Sequence, residues 1–211
     1  MGLDVSADAL DTTHLVALAA ALGWASGLRL YAVVFFTGLA GALGWLPLPS
    51  GLQVLQHPLV LGAAGLMLVV EFVADKVPGL DSLWDGLHTV LRIPAGAALA
   101  GAVFGGDQAA WATVAALLGG TLAATSHVAK ATTRAAVNTS PEPLSNIALS
   151  LAGDALVPSM LWLAVAHPLW FGAALLLLLV ISVLLTLVLF KFLRTLVRSL
   201  RNRLGGAPAA V

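Results

Sequence analysis

Cysteine is missing from the 211 residues altogether, which removes disulfides, thiolate metal ligands and cysteine chemistry from consideration. Charge is nearly as scarce. Asp, Glu, Lys and Arg make up 9% of the chain, against roughly a quarter in an ordinary soluble domain, while 60% is apolar. A soluble protein needs a charged exterior, yet no Asp, Glu, Lys or Arg occurs from Leu30 to Val70 or from Leu169 to Phe190. Each run is long enough to cross about 30 Å of hydrocarbon, so lipid is the expected solvent.

Neither sign of charge is in excess: ten Lys and Arg offset ten Asp and Glu. No basic surface is left over for a phosphate backbone, which excludes nucleic acid as an expected partner. The segment Met1 to His14 carries Asp4, Asp8 and Asp11 but no Lys or Arg, so it lacks the basic start of a signal peptide, and the first helix is expected to remain. H-E-x-x-H, G-x-S-x-G, P-loop and Rossmann patterns are absent. Hydrolase and nucleotide chemistry therefore lack a starting residue, and the chain is read as a non-enzyme with no cofactor and no metal.

What is present is a series of apolar segments punctuated by proline and glycine. They are expected as helices at Thr13 to Leu43, Pro58 to Lys76, Pro94 to Gly105, Ala109 to Val137, Leu144 to Ala166 and Pro168 to Leu200. The predicted fold is all-α, a polytopic transmembrane helical bundle of about six membrane segments in a single integral domain, 1–211. Leu80 to Arg92 reads as an interfacial or half-inserted amphipathic stretch, with Asp81, Asp85, His88 and Arg92 as a solvated face. Most of the six tryptophans read as interfacial anchors.

The cations fall unevenly. Lys76 and Arg92 flank the second connection, Lys130 and Arg134 the fourth, and Lys191, Arg194, Arg198, Arg201 and Arg203 the C-terminal end. The positive-inside rule makes those connections and the C-terminus cytoplasmic, and six crossings then place the N-terminus there too. Arg29 stands apart, mid-way along the first helix.

Short motifs recur in order. Asp75, Pro78 and Trp84 are echoed by Asp154, Pro158 and Trp162; G-A-A-L at Gly96 recurs at Gly172; Ser26 with Arg29 is echoed by Ser126 with Lys130. Two halves, 13–105 and 109–200, with three helices each would enter the membrane from opposite sides, giving a three-plus-three inverted repeat with broken helices and a site near the midplane. Pro78 with Gly79, and Pro158, are the expected breaks.

Ionisable groups at membrane depth are functional suspects. Glu71 and Asp75 lie one turn apart, Asp154 lies within the fifth helix, and Arg29, Ser126, His127 and Lys130 are their polar or titratable counterparts. These seven residues are the expected ion or substrate pathway. Arg29 is a candidate partner for Glu71 or Asp75, and Lys130 for Asp154.

The stretch E-F-V-A-D-K-V-P-G-L-D-S-L-W-D-G-L-H-T-V-L-R-I-P-A-G, Glu71 to Gly96, resembles the central signature of a family of small bacterial membrane proteins known only as a domain of unknown function. The likeness continues through the Arg29 helix and Ser145 to Asp154. Where the family pattern has two prolines after the arginine, this chain has Ile93 then Pro94. The resemblance implies a bacterial inner-membrane location and no substrate.

The expected function is a small transporter or channel-like carrier for a small ion or polar solute, proton-coupled through Asp75 or Asp154. An anion such as a lipid phosphate is the variant in which Arg29, His127 and Lys130 bind. Two alternatives come from other classes: a structural scaffold whose charges lock helices together, and a metal-dependent enzyme using Asp81, Asp85 and His88. The lipid bilayer is the expected partner, and a homo-oligomer is left open.

Overall fold

The computed structural model describes residues 10–77, 79–105, 108–139 and 144–205, with side chains not described at 200 and 202–205. These residues form six α-helices and one 3-10 segment, with no strand: α1 Thr12–Ala42, the 3-10 segment Ser50–Gln56, α2 Pro58–Ala74, α3 Leu80–Ala102, α4 Ala109–Val137, α5 Leu144–Ala166 and α6 Pro168–Gly205. Asp11 caps α1 by accepting from the His14 amide. That bond, followed by the His14 ring, holds its carboxyl below the usual range. By length and composition α1, α4, α5 and α6 are each able to cross a bilayer. The 3-10 segment and α2, meeting at 68°, make a fifth candidate as a pair. The protein is a multi-helix membrane protein.

The first helix does not run straight. Arg29 has φ −149° and ψ 84°, far from helical values, between two helical arms. A straight helix would hold Leu18 and Ala40 about 33 Å apart, yet both line one cavity together with Thr37, Pro158 and Leu161. The arms therefore fold back on each other, and α1 is a hairpin with Arg29 at its tip. Neighbouring elements agree. Gly38 on the second arm abuts Leu55 of the 3-10 segment, whose Gly51 abuts Ala102 at the end of α3. Phe104, just beyond, shares a cavity with Ala19 and Ala20 of the first arm. Both ends of α1 thus sit at one end of the bundle.

Contacts set the remaining directions. Gly23 meets Gly119 and Gly27 meets Ala123, so the first arm and α4 run parallel. Gly38 meets Leu61 and Phe35 meets Gly65, so the second arm and α2 run antiparallel. Thr89 reaches His127 while Gly101 meets Ala112, which makes α3 and α4 antiparallel. Helices α5 and α6 are joined through His167 alone. Trp45, Trp111, Trp162 and Trp170, all more than half exposed, gather at the end where α1 begins and finishes. At the opposite end α2 gives way to α3 through Gly79, whose φ of +88° suits glycine alone. Helix α6 is about 57 Å long, so Lys191, Arg194, Arg198 and Arg201 lie past the depth of a hydrocarbon core.

Three expectations differ from this architecture. The segment Thr13 to Leu43 is a folded-back pair of arms and not one straight helix, because it leaves helical geometry at its own buried arginine. Leu80 to Arg92 and Pro94 to Gly105 are one helix, α3, passing through Pro94. Pro158 likewise leaves α5 continuous, whereas Pro78 lies outside the described residues.

The arms of α1, α3 and α4 close on small residues. A Cβ on Gly23 would come within 2.5 Å of the Gly119 backbone, and one on Gly96 within 2.7 Å of Ala123. Such an interface relies on backbone proximity, since lipid offers no hydrophobic drive between helices. Gly119→Val should therefore lower stability by about 2 kcal/mol, a Tm loss of roughly 4–8 °C in detergent. Gly172→Ala, with open space around it, should leave Tm unchanged; equal effects would refute the tight interface.

Candidate functional site: a buried charge layer around the break in α1

Breaking a helix inside a bundle releases backbone carbonyls that need new donors. Around Arg29 those donors come from α4: Lys130 Nζ donates to Leu28 O at 3.0 Å and Ser126 Oγ to Trp24 O at 2.6 Å. The arginine itself is 2% exposed. Its Nη2 lies 2.9 Å from Asp75 Oδ2 at the end of α2 and 2.9 Å from Asp154 Oδ1 in α5. It also donates to Ser150 Oγ at 3.0 Å and Ser150 O at 3.1 Å. One guanidinium thus ties the hairpin tip to two helices.

The pairing continues without a gap. Asp75 Oδ2 also faces Arg134 at 3.1 Å and Lys130 at 3.3 Å. Lys130 reaches Asp85 at 3.0 Å, and Arg134 reaches Asp81 at 3.2 Å and Asp85 at 3.4 Å. Arg92 bridges Glu71 and Asp85, each at 2.6 Å. Lys76 meets Asp154 at 3.2 Å and rests over the Phe72 ring. Asn138 Nδ2 donates to both Asp81 oxygens. Five carboxylates, Glu71, Asp75, Asp81, Asp85 and Asp154, face five cations, Arg29, Lys76, Arg92, Lys130 and Arg134. These are all the lysines and arginines that precede α6, and the layer is neutral.

Two histidines complete it. A guanidinium never accepts a hydrogen bond, so the His127 Nδ1 that faces Arg92 at 3.4 Å carries a lone pair. Its Nε2–H then donates to Thr89 Oγ1 at 2.8 Å, and Thr89 donates to Asp85 O at 3.0 Å. His88 Nδ1 donates to Trp84 O at 2.9 Å, and its Nε2 shares a hydrogen bond with the Tyr31 hydroxyl at 3.1 Å.

Six of the seven expected pathway residues, Arg29, Glu71, Asp75, His127, Lys130 and Asp154, lie in this layer. Ser126 stands beside it, committed to the Trp24 carbonyl. The pairings differ in part. Arg29 holds Asp75 as expected, but Glu71 belongs to Arg92, and Lys130 serves Asp75 and Asp85 while Asp154 takes Arg29 and Lys76. The Asp81, Asp85, His88 and Arg92 face, expected to be solvated, is buried, with each residue at most 7% exposed. Its regular spacing was visible, and the missing signal was the matching Lys130 and Arg134 face on α4. Among the described residues no three His, Asp or Glu groups gather as a metal site.

Asp154 is the most accessible acid of the layer, its side chain 20% exposed where Glu71 and Asp75 are fully buried. Removing one member of a buried pair costs roughly 3–5 kcal/mol, because the other is left uncompensated. Arg92→Gln should therefore sharply reduce the yield of folded protein in detergent, and adding Glu71→Gln should restore much of it. A double variant no better than Arg92→Gln alone would refute the pairing.

No curated protein and no solved structure is a match for the chain. Residues 16–187 match the family described as Domain of unknown function (DUF4126), a span that runs from the first arm of α1 through the whole charge layer and into α6. The chain belongs to that family.

Proposed function

We propose that this protein is a carrier in the bacterial inner membrane that moves a small ion or polar solute past the charge layer. The observation that carries the reading is the position of Arg29. It sits at the tip of a folded-back pair of helices, shared between Asp75 and Asp154, and borders a cavity of about 200 Å³. Broken helices within a membrane are tolerated where they face protein or line a cavity. Two acids on different helices competing for one guanidinium give the tip two alternative partners. Exchange between them is the proposed conformational step, with a proton on Asp154 when Arg29 leaves it.

The proposed membrane placement rests on the two ends. Tryptophan belts favour an interface, and the end bearing Trp45, Trp111, Trp162 and Trp170 is assigned outside. The Lys191 to Arg201 end is assigned to the cytoplasm. If α1 enters and leaves on the outside and α2 to α6 each cross, the N-terminus is external, and we propose this as an alternative to the cytoplasmic placement expected from six crossings. Helices α2 and α5 run oppositely, as do α3 and α6, which supports an inverted repeat for those elements. The folded α1 and continuous α4 depart from it.

Complete charge balance favours a second reading, a scaffold whose ion layer only locks helices. The metal-dependent enzyme has less support, since Asp81 and Asp85 are occupied by Arg134, Asn138, Lys130 and Arg92.

The cysteine-free chain makes topology direct to measure. Ser6→Cys and Gln53→Cys should each react with an impermeant maleimide in intact cells, and Asn202→Cys only after lysis. Protection of the Ser6→Cys variant together with labelling of the Gln53→Cys variant would restore a crossing first helix.

Transport is tested at Asp154, whose partial exposure makes Asn the mildest neutralisation in the layer. In proteoliposomes with a pH-sensitive dye and a panel of small ions and polar solutes, at least one solute should move with wild type. Asp154→Asn should reduce that flux at least tenfold while shifting Tm by no more than a few °C. Absence of flux with wild type, coupled to a large Tm loss in the variant, would leave the scaffold as the function.

A further inference from the structure

The cavity beside Arg29 has an unusual wall. Three cations line it, Arg29, Lys130 and Arg134, while none of the five carboxylates that neutralise them does. Two buried donors on the wall lack an acceptor among the described residues: Arg29 Nη1 and Trp24 Nε1, each on a residue 2% exposed. Buried donors without partners are uncommon and costly. Ser150, Thr133 and Ser182 add hydroxyls. The opposite wall is apolar, made by Leu178, Ile181 and Leu185 of α6. Ile181 and Leu185 are 47% and 38% exposed, which in a membrane helix means facing lipid.

An inorganic cation is repelled by such a wall, and a neutral polar solute leaves the guanidinium donors unmatched. A tetrahedral oxyanion matches them, since a guanidinium offers paired donors to phosphate and an indole N–H adds a third direction. We propose that this cavity binds a phosphate group, and that the α6 wall suits one carried by a membrane lipid, whose chain leaves the cavity past Ile181 and Leu185. This rests on the carrier reading for its role, since it names the class of solute at that site, but binding is measurable without transport.

Charge explains the coupling to Asp154. The layer is neutral before the anion arrives, so an added phosphate competes with a carboxylate already held by Arg29. Asp154 is the one able to yield, because Lys76 also holds it and its side chain is partly exposed. Removing its charge should strengthen anion binding, the opposite of what a direct ligand would show.

The test is a titration of purified protein in neutral detergent, following Tm, with three probes: dihexanoyl phosphatidic acid, inorganic phosphate and dihexanoyl phosphatidylcholine. Phosphatidic acid should stabilise saturably, at least tenfold more tightly than inorganic phosphate, and phosphatidylcholine should not compete. Asp154→Asn should tighten binding several-fold. Ile181→Trp, which fills the apolar wall without touching the charge layer, should abolish the lipid effect while leaving the protein folded, so a failure of Arg29→Gln to fold does not stall the test. A combined Lys191→Gln, Arg194→Gln, Arg198→Gln variant should bind as wild type. Equal affinity for both phosphate probes assigns the cavity to a soluble phosphate and overturns the lipid source. No saturable stabilisation by either probe, or binding unaffected by Ile181→Trp and by Asp154→Asn, overturns the site. Binding that survives where no flux is found would instead count against the carrier.

Discussion

Everything in the half of this molecule that holds the charge layer turns on the break in α1 at Arg29. A helix interrupted inside lipid must find donors for its loose carbonyls and counter-charges for any ion it carries, because the solvent supplies neither. Here the same neighbours do both. Lys130 caps the Leu28 carbonyl while pairing with Asp75 and Asp85, and the arginine at the break ties α2 to α5. Without α4 against the first arm the carbonyls would be orphaned, and without the acids the arginine would be. The glycine contacts between α1, α3 and α4 are what bring those groups within reach.

That dependence makes the layer cooperative. Asp75 is held by three cations and Asp85 by three, so few members have a private partner. Asp154, at the exposed margin, is the place where a single neutralisation disturbs least. The centre of the layer is the more heavily paired part, and its edge at Asp154 is the more accessible one. The scaffold and carrier readings therefore describe different residues of one assembly, and the boundary between them runs along Arg29.

Much of this was legible beforehand. Scarcity of charge identified lipid, and rarity of ions at membrane depth picked out Arg29, Glu71, Asp75, His127, Lys130 and Asp154. Helix boundaries from α4 onward followed proline and glycine closely. What composition does not carry is direction: an apolar run of 31 residues reads the same whether it crosses or folds back, and Arg29 carries no helix-breaking chemistry of its own. The fold at that residue comes from tertiary pairing, which overrides local preference. For the same reason the Asp81 to Arg92 face looked solvated. A charged stripe facing water and one facing an opposite stripe share one periodicity, and only the approach of α4 distinguishes them.

Equal numbers of positive and negative groups in the layer also have an electrical consequence. A transmembrane potential acts on net charge, at about 2.3 kcal/mol per elementary charge per 100 mV. A neutral cluster that shifts as a body carries no gating current and takes no energy from the field. Only when Arg29 parts from one of its acids, or a lone proton or anion joins, does the movement become visible to the voltage. For the charge layer, the field therefore bears on a change of pairing at the hairpin tip and not on movement of the layer as a whole.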